Sequence, residues 1–222
     1  MQSFAWNASS DFSYTGETGS LTIRCEPLQG ITLKTANMQA GPLLGLEIVD
    51  AINLGPQPLH ASGLVPEVLL RQDLLQAHFV PTTKRPVECV ACWRVHPEGM
   101  IDLEISTLTP GKWDGLAVQT ITRLGSGEVL TLQQASPAIL LFRPLGLDLS
   151  YAEFCHPHDG IELTTISDNS GTTVRYRLFG HDLEKGVILR GRLRGVLVPR
   201  AVDVAAAQAA YARFLAETPN LT

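Results

Sequence analysis

Residues 186–199 read Gly-Val-Ile-Leu-Arg-Gly-Arg-Leu-Arg-Gly-Val-Leu-Val-Pro, and their side chains divide into two sets at alternate positions. One set consists of Val187, Leu189, Gly191, Leu193, Gly195 and Leu197. The other set consists of Ile188, Arg190, Arg192, Arg194, Val196 and Val198. Because side chains on a β-strand point alternately to opposite faces, this pattern predicts a strand with three arginines on one face. Such a strand requires a sheet around it.

The arginine face requires partners, since guanidinium groups on one strand face repel each other. Carboxylates are available at Glu88, Asp102, Glu104, Asp159 and Glu162. Two interpretations stay open: a solvated sheet face with charge pairs, or a polar concave face that binds an anion or a sugar. Gly191 and Gly195 lie on the opposite face, where the missing side chains predict close packing of another element.

The composition indicates a folded protein with an ordinary charge balance. Of 222 residues, 45% are hydrophobic and 18% are charged, which excludes disorder over most of the chain. The net charge of −5 gives no indication of a nucleic-acid or anionic-membrane partner. The length suits one all-β domain, and without a linker or an internal repeat we expect a single domain over residues 1–222.

The beginning of the chain gives no sign of export. Met1-Gln-Ser-Phe-Ala-Trp6 has neither the basic nor the apolar region of a signal peptide. No apolar run approaches the ~20 residues that a membrane helix needs. The cytoplasm is therefore the expected location, where cysteines stay reduced. They are Cys25, Cys89, Cys92 and Cys155.

The clearest hairpin in the sequence has strands over Val87–Val95 and Ile101–Thr107, joined by Pro97-Glu98-Gly99. Apolar and polar residues alternate along both strands. The polar face would carry Glu88, Arg94, Asp102 and Glu104, where opposite charges on paired strands attract by about 0.2–1 kcal/mol per pair. Cys89 and Cys92 fall on opposite faces of the first strand, so their spacing does not indicate a redox or zinc site.

Further strands are predicted on both sides of this hairpin, including an apolar one over residues 43–52. Residues 67–80 fit either a short amphipathic helix or two strands broken near Gln72-Asp73, and the neighbouring strand patterns favour strands. Loops are predicted at residues 37–41, 109–115, 144–150 and 180–185. An Ala-rich helix is predicted over Val204–Glu217, with Asp203 at its start and an apolar stripe of Tyr211, Phe214 and Leu215. The predicted fold class is all-β, a large twisted antiparallel β-sandwich with one C-terminal helix.

The run Phe154-Cys-His-Pro-His-Asp159 carries two histidines that suggest chemistry. On a strand, His156 and His158 would point the same way, as metal-binding histidines of some β-sandwich proteins do. No third histidine stands at a matching spacing, so a metal site, an acid–base or ligand-binding role and ordinary loop histidines all stay open. Three aromatic residues either belong to the core or stack on a sugar ring, namely Trp93, Trp113 and Tyr176.

Several runs of the sequence carry a family resemblance. They are Tyr151-Ala-Glu-Phe-Cys-His-Pro-His-Asp159, Arg177-Leu-Phe-Gly180, Leu183-Glu-Lys-Gly-Val-Ile-Leu-Arg-Gly-Arg-Leu-Arg194, Cys92-Trp93-Arg94 and Trp113-Asp-Gly-Leu-Ala-Val-Gln119. They resemble bacterial proteins of the galactose mutarotase-like supersandwich, which implies a twisted antiparallel sandwich with a concave, sugar-facing sheet. Because aldose mutarotases use a histidine acid and a carboxylate base, the resemblance implies His156 or His158 as the acid. It implies Glu104 or Glu184 as the base.

The function we predict is that of a carbohydrate-binding or carbohydrate-active sandwich, of aldose-epimerase type, without cofactor or metal. The predicted catalytic residues are His156, His158 and Glu104. The residues predicted to hold a sugar or a small acidic ligand are Arg94, Arg190, Arg192, Arg194 and Trp93. One alternative is a non-enzymatic interaction domain that forms a homodimer through a sheet face or the C-terminal helix. A second alternative is a cupin-like metal-dependent enzyme that uses His156 and His158.

Overall fold

The computed structural model describes residues 4–10, 13–18, 21–27, 29–36, 39–49, 57–58, 66–81, 87–96, 99–109, 111–132, 138–169 and 171–217. These residues form three sheets and a C-terminal α-helix. Every strand pairing among them is antiparallel. The predicted all-β class with one C-terminal helix is therefore confirmed.

The first sheet consists of neighbouring strands in chain order. They are β1 (Asn7–Ser10), β2 (Ser13–Thr18), β3 (Leu21–Glu26), β4 (Gly30–Lys34) and β5 (Gln39–Leu43).

The second sheet has eight strands and carries the arginines. In spatial order they are β13 (Gly127–Leu132), β14 (Ile139–Pro144), β15 (Leu149–Cys155), β18 (Ile188–Pro199), β11 (Met100–Leu108), β10 (Glu88–His96), β9 (Leu74–Phe79) and β8 (Glu67–Arg71). Strand β18 bridges β15 and β11, and so joins the two halves of this sheet.

The third sheet has five strands. In spatial order they are β16 (Gly160–Asp168), β17 (Gly171–Leu183), β12 (Trp113–Leu124), β6 (Gly45–Val49) and β7 (Gln57–Pro58).

The strand predicted from the arginine pattern is confirmed, and so is the close packing of its glycines. A Cβ atom on Gly191 would lie 3.0 Å from Cδ1 of Leu178 on β17. A Cβ atom on Gly195 would lie 2.5 Å from the hydroxyl oxygen of Tyr151 on β15. Both glycines therefore stand where side chains from neighbouring strands need the space.

The predicted hairpin and the two strands over residues 67–80 are also confirmed. Strands β10 and β11 pair in a continuous register from Glu88 opposite Leu108 to His96 opposite Met100. Both strands alternate strictly between buried and partly exposed residues, which reproduces the period of two in the sequence. Strands β8 and β9 meet at a turn over residues 72–73, where the break was expected.

Two apolar clusters form the core. The larger cluster unites the inner faces of the sheets and includes Ile23, Trp93, Leu103, Tyr176 and Leu193. The smaller cluster lies beneath the C-terminal helix and includes Leu141, Phe154, Val198, Ala210 and Phe214. Burial of these side chains is the main force that holds the layers together.

The C-terminal helix α1 (Asp203–Ala216) covers part of the outer face of the eight-stranded sheet. Asp203 starts it, as expected, and its carboxylate accepts hydrogen bonds from Arg143 and Ser150. Tyr211 and Phe214 are buried as predicted, but Leu215 is 41% exposed, so its assignment to the apolar stripe was wrong. No helix in the described part of the chain is long and apolar enough to cross a membrane.

Several boundaries differ from the predictions because tertiary pairing extends strands into segments with loop-like composition. Strands β5, β12, β15 and β17 each run into a predicted loop. The strand predicted over residues 43–52 is interrupted at Leu44, whose φ of 52° turns the chain between β5 and β6. The Leu44 amide donates to Thr122 Oγ1 and its carbonyl accepts from Trp93 Nε1, so the interruption leaves neither group unpaired. Residues 50–52 lie outside the described part of the chain.

Candidate functional site

A polar groove lies on the outer face of the eight-stranded sheet. Its volume is about 600 Å³, which falls within the ~300–1,000 Å³ range typical of small-molecule sites. The groove is lined by Arg71, Gln72, Asp73, Leu74, Gln76, Cys92, Arg94, Asp102 and Glu104. Two of these residues, Arg94 and Glu104, were predicted as site residues.

Strand register builds the floor of the groove from two rows of cross-strand neighbours. One row runs Gln76, Cys92, Glu104 and Arg192 across β9, β10, β11 and β18. The next row runs Leu74, Arg94, Asp102 and Arg194 across the same strands. The members of both rows on β9, β10 and β11 line the groove and bring carboxylates, an arginine and an amide to one surface, and Arg192 and Arg194 on β18 continue the rows beyond the groove.

The turn between β8 and β9 forms one wall of the groove. Oδ2 of Asp73 in this turn forms an ion pair with Nε of Arg94 at 3.2 Å. Trp6 from the N-terminal arm holds the turn from behind. Its amide donates to the carbonyl of Gln72 at 2.9 Å, and its indole Nε1 donates to the carbonyl of Asp73 at 3.0 Å. The groove wall is thus anchored by a residue 67 positions before Asp73 in sequence.

Asp102 lies at the centre of a charged network beside the groove. It accepts hydrogen bonds from His96 Nε2 at 2.7 Å and from Arg194 Nη2 at 2.9 Å. Burial raises the pKa of Asp102, but the hydrogen bonds from His96 and Arg194 outweigh burial and hold the pKa below its usual value. Since the carboxylate is ionised and can only accept, Nε2 of His96 carries the proton in this contact.

Glu104 lies on the floor of the groove between Cys92 and Arg192. Burial, together with the negative charge of Glu104, raises the pKa of the Cys92 thiol to about 11. Cys92 therefore stays protonated near neutral pH and is not a thiolate nucleophile. Of the two carboxylates on the floor, Asp102 is already paired with His96 and Arg194, which leaves Glu104 as the one more readily engaged by a ligand.

His156 and His158 lie in a turn after β15, so of the arrangements that the sequence left open, two histidines on one strand face is not the one present. The strand ends at Cys155, because Pro157 has no amide to continue the ladder. Nδ1 of His156 lies 4.0 Å from Oδ1 of Asp159, and the two imidazole rings are 5.4 Å apart. In the described residues, no group of three or more His, Cys, Asp or Glu side chains is arranged to hold a metal ion.

His156 extends the row that contains Glu104. Its amide donates to the carbonyl of Arg192, the cross-strand neighbour of Glu104. Since adjacent strands are about 4.8 Å apart, His156 and Glu104 lie about 10 Å apart in this row. Burial lowers the pKa of His156, and the positive charge of Arg192 lowers it further, so the ring is neutral near pH 7.

The three arginines of β18 have different surroundings. Arg194 is almost completely buried and pairs with Asp102 and with Glu217 at the end of α1. The backbone amide of Arg192 donates to Asp159 at 3.0 Å, and its Nε lies 3.7 Å from the same carboxylate. Arg190 is exposed further along the same face. Of the five carboxylates proposed as partners, Asp102 and Asp159 take that role, whereas Glu88 pairs with His78 and Glu162 with Arg177.

Trp93 belongs to the core and does not reach the groove. Its side chain is completely buried and its Nε1 donates to the carbonyl of Leu44. We therefore leave Trp93 out of the proposed site, because a ligand on the outer face cannot contact it. Tyr176 is buried in the same way and donates to the carbonyl of Glu153. The side chain of Trp113 lies outside the described part of the structure.

Sequence reasoning missed several polar residues at or beside the groove, among them Arg71, Asp73, Gln76 and His96. The signal for His96 was present, since the period of two places it on the same face as Arg94. With the turn at Pro97-Glu98-Gly99, the hairpin register also places its side chain near Asp102. The other three depended on residues 67–80, whose pattern left strand and helix open.

Comparison with known proteins gives a likeness in fold. No protein-family model matches the sequence, and no curated protein matches it. A Klebsiella pneumoniae subsp. pneumoniae protein assigned as an aldose 1-epimerase aligns with a TM-score of 0.61 and 10% identity, over 91% of this chain and 83% of that chain. At this identity the likeness concerns the fold alone.

Two further solved structures share the fold over about a third of their own length. The heparan sulfate lyase HepC from Pedobacter heparinus aligns with a TM-score of 0.57 and 6% identity, over 88% of this chain and 37% of that chain. A protein from the human microbiome assigned as a kojibiose phosphorylase aligns with a TM-score of 0.51 and 8% identity, over 96% of this chain and 32% of that chain. The resemblance to the galactose mutarotase-like supersandwich is thus confirmed for the fold.

Proposed function

We propose that the groove on the eight-stranded sheet binds a carbohydrate and that the protein is an aldose-epimerase-like enzyme. The observation that supports this most is the floor of the groove. There, register alone places Gln76, Arg94, Asp102 and Glu104 side by side on an exposed sheet face. Proteins assigned to carbohydrate chemistry share the fold, which adds support at the level of architecture.

The donors and acceptors of the groove suit a polyhydroxylated ring. Arg71 and Arg94 present guanidinium donors, Asp73 and Glu104 present carboxylate acceptors, and the Gln76 amide presents both. A sugar hydroxyl donates one hydrogen bond and accepts others, so it requires both types of partner at close range. Leu74 adds an apolar contact for a carbon–hydrogen face of the ring.

Glu104 is the base that we propose for ring opening. It would take the proton from the anomeric hydroxyl of a cyclic aldose while an acid gives a proton to the ring oxygen. The bond between the anomeric carbon and the ring oxygen breaks, and the carbonyl of the open chain forms. Rotation and reclosure on the other face of that carbonyl give the other anomer, and both protons return.

Two histidines are candidates for the acid. His96 is the nearer one, because its Nε2 bonds Asp102 on the groove floor, and this bond fixes the tautomer and the orientation of its ring. His156 lies beyond Arg192 and is held by the turn that contains Asp159. We favour His96, since a ligand that contacts Glu104 and Asp102 lies closer to it than to His156. His158 follows two residues after His156 in the same turn.

Polarimetry of freshly dissolved α-D-galactose and α-D-glucose tests the reaction. We expect the wild-type protein to speed equilibration, Glu104→Gln to abolish most of the acceleration, and His96→Gln to lower it by 10²-fold or more. His156→Gln should stay within a few-fold of wild type, and a large loss there would transfer the acid role to His156.

A control variant and a binding assay separate chemistry from recognition. Glu162→Gln changes an exposed residue on the third sheet and should leave the rate unchanged. If no sugar shifts the thermal midpoint of the wild-type protein and no acceleration above buffer is seen, the proposal is wrong. Binding without acceleration would leave a carbohydrate-binding protein and remove the enzymatic role.

A further inference from the structure

Arg194 is held between two carboxylates that differ in how firmly they are fixed. Its Nε and Nη2 atoms donate to the two oxygens of Asp102, which lies on the neighbouring strand β11. Its Nη1 and Nη2 atoms donate to the two oxygens of Glu217 at 2.8 and 2.6 Å. Both edges of the guanidinium plane therefore hold a carboxylate in a bidentate contact, the strongest arrangement that arginine makes.

The carboxylate of Asp102 is held more firmly beside Arg194 than the carboxylate of Glu217. Asp102 belongs to the middle of a sheet, and its side chain is only 16% exposed. Glu217 follows the last residue of α1 and has extended backbone angles, and its side chain is 49% exposed. A carboxylate at the place of Glu217 is thus open to solvent although the arginine beneath it is not.

The aromatic ring of Phe214 keeps the arginine in place without Glu217. The guanidinium carbon of Arg194 lies 4.9 Å from the centre of this ring, and that of Arg192 lies 5.5 Å from it. A cation over an aromatic face is attracted to the ring, and the face also fixes the plane of the guanidinium group. With Asp102 and Phe214 in place, the second edge of Arg194 stays oriented when Glu217 leaves.

We propose that the outer edge of Arg194 is a carboxylate subsite at the rim of the groove, occupied in this structure by Glu217, which a ligand carboxylate can displace. The inference rests on the proposed carbohydrate groove and extends it to a class of ligand. Asp102 lines the groove and pairs with the inner edge of Arg194, so the outer edge lies one guanidinium group beyond the groove floor. The matching ligands are sugars that carry a carboxylate, the uronic acids.

Titration calorimetry with D-glucuronate, D-galacturonate, D-glucose and D-galactose tests the subsite. Removal of the competing carboxylate in Glu217→Ala should tighten uronate binding about tenfold, because a charge-assisted bidentate contact is regained. Glu217→Gln keeps a neutral acceptor and should give a smaller gain. The two neutral sugars should bind all three proteins within about twofold, since they have no group for this edge of Arg194.

Glu128→Ala is the matched control. Glu128 is also an exposed partner of an arginine, Arg143, that keeps a second carboxylate, Asp203, when Glu128 is removed. This variant should bind uronates as the wild type does, so a gain there would show a general charge effect and overturn the subsite. If neutral sugars bind but Glu217→Ala gains nothing for uronates, the subsite is wrong and the groove stands. If no sugar binds any of the proteins, the groove itself is wrong.

Discussion

Glu153 is a fully buried carboxyl group in the core between the sheets. Its Oε2 accepts hydrogen bonds from Thr122 and from Tyr151, both at 2.6 Å, whereas its buried Oε1 has no partner. Burial raises the pKa of Glu153 to about 7, and the two hydrogen bonds only partly oppose this rise. An ionised Glu153 would therefore leave a charged oxygen in the core without compensation.

The free energy of unfolding should decrease as pH rises because of Glu153. Below the unfolded pKa of 4.5, Glu153 is neutral in both the folded and the unfolded state. Between pH 4.5 and about 7, the folded state binds more protons than the unfolded state. The free energy of unfolding therefore decreases as pH rises through this range. The loss amounts to roughly 3 kcal/mol. Glu153→Gln keeps acceptors for Thr122 and Tyr151 but cannot ionise, so it should lose this dependence. Urea unfolding at pH 4.5, 6 and 8 measures how the free energy of unfolding changes with pH in the wild type and in Glu153→Gln. An equal change in the two proteins would contradict the prediction.

Individual residues were predictable where a local pattern fixed their face. The period of two placed Arg94, Asp102 and Glu104 on one surface before any tertiary information was available. Partners that lie far apart in sequence were not predictable in the same way. Nothing local indicates that Arg194 meets Glu217 or that Trp93 bonds the carbonyl of Leu44, because each contact depends on how the layers stack.

Gly195 on β18 leaves room for the side chain of Tyr151 on the neighbouring strand β15. The ring of Tyr151 lies against the bare Cα of Gly195, and its hydroxyl is fixed by the bond to Glu153. Leu178 packs against Gly191 in a similar way, but its side chain has no polar anchor. The two sites therefore differ in how easily the neighbour can move.

Gly195→Ala should be the more damaging of the two substitutions. The new methyl group would meet Tyr151 2.5 Å from the hydroxyl oxygen, and we expect a loss of about 2–3 kcal/mol in the free energy of unfolding. Gly191→Ala, with its contact at 3.0 Å to a movable methyl group, should lose about 1 kcal/mol or less. Gly125→Ala has no atom within 4 Å and serves as the control in urea unfolding. A loss at Gly195 no larger than at Gly125 would contradict this account.

The type of each secondary-structure element was predictable from the sequence, but the positions of its ends were less so. The hairpin of β10 and β11 was located because its alternation is strict and its turn residues are unambiguous. The ends of β12, β15 and β17 were placed too early or too late, because pairing with a neighbour stabilises extended backbone in polar segments. The histidine segment was left open between strand and loop, and Pro157 was the visible signal for the turn that is present.

At the scale of the fold, the N-terminal arm couples two sheets. Trp6 precedes β1 of the first sheet, and its side chain bonds the turn between β8 and β9 in the eight-stranded sheet. The groove wall therefore depends on a layer that does not itself line the groove. The expectation of a single domain over residues 1–222 and that of a homodimer both stay predictions.

Trp6→Phe should loosen the groove wall without unfolding the protein. The ring stays, but the bond from Nε1 to the Asp73 carbonyl is lost, which is worth about 1 kcal/mol. Hydrogen exchange at the Val95 amide, which donates to the same carbonyl, should become about fivefold faster. Phe4→Leu changes the neighbouring ring of the arm and should affect Val95 much less. Equal acceleration in both variants would contradict a specific role of the indole bond.

The position of β18 between β11 and β15 has a consequence for synthesis of the chain. Before β18 emerges from the ribosome, β8–β11 and β13–β15 are two separate sheets, each with an open hydrogen-bonding edge. Such edges can pair with other chains, so the nascent protein is vulnerable to aggregation until residues 188–199 are translated. Growth temperature and chaperone supply should therefore govern soluble yield more strongly than the stability of the finished fold.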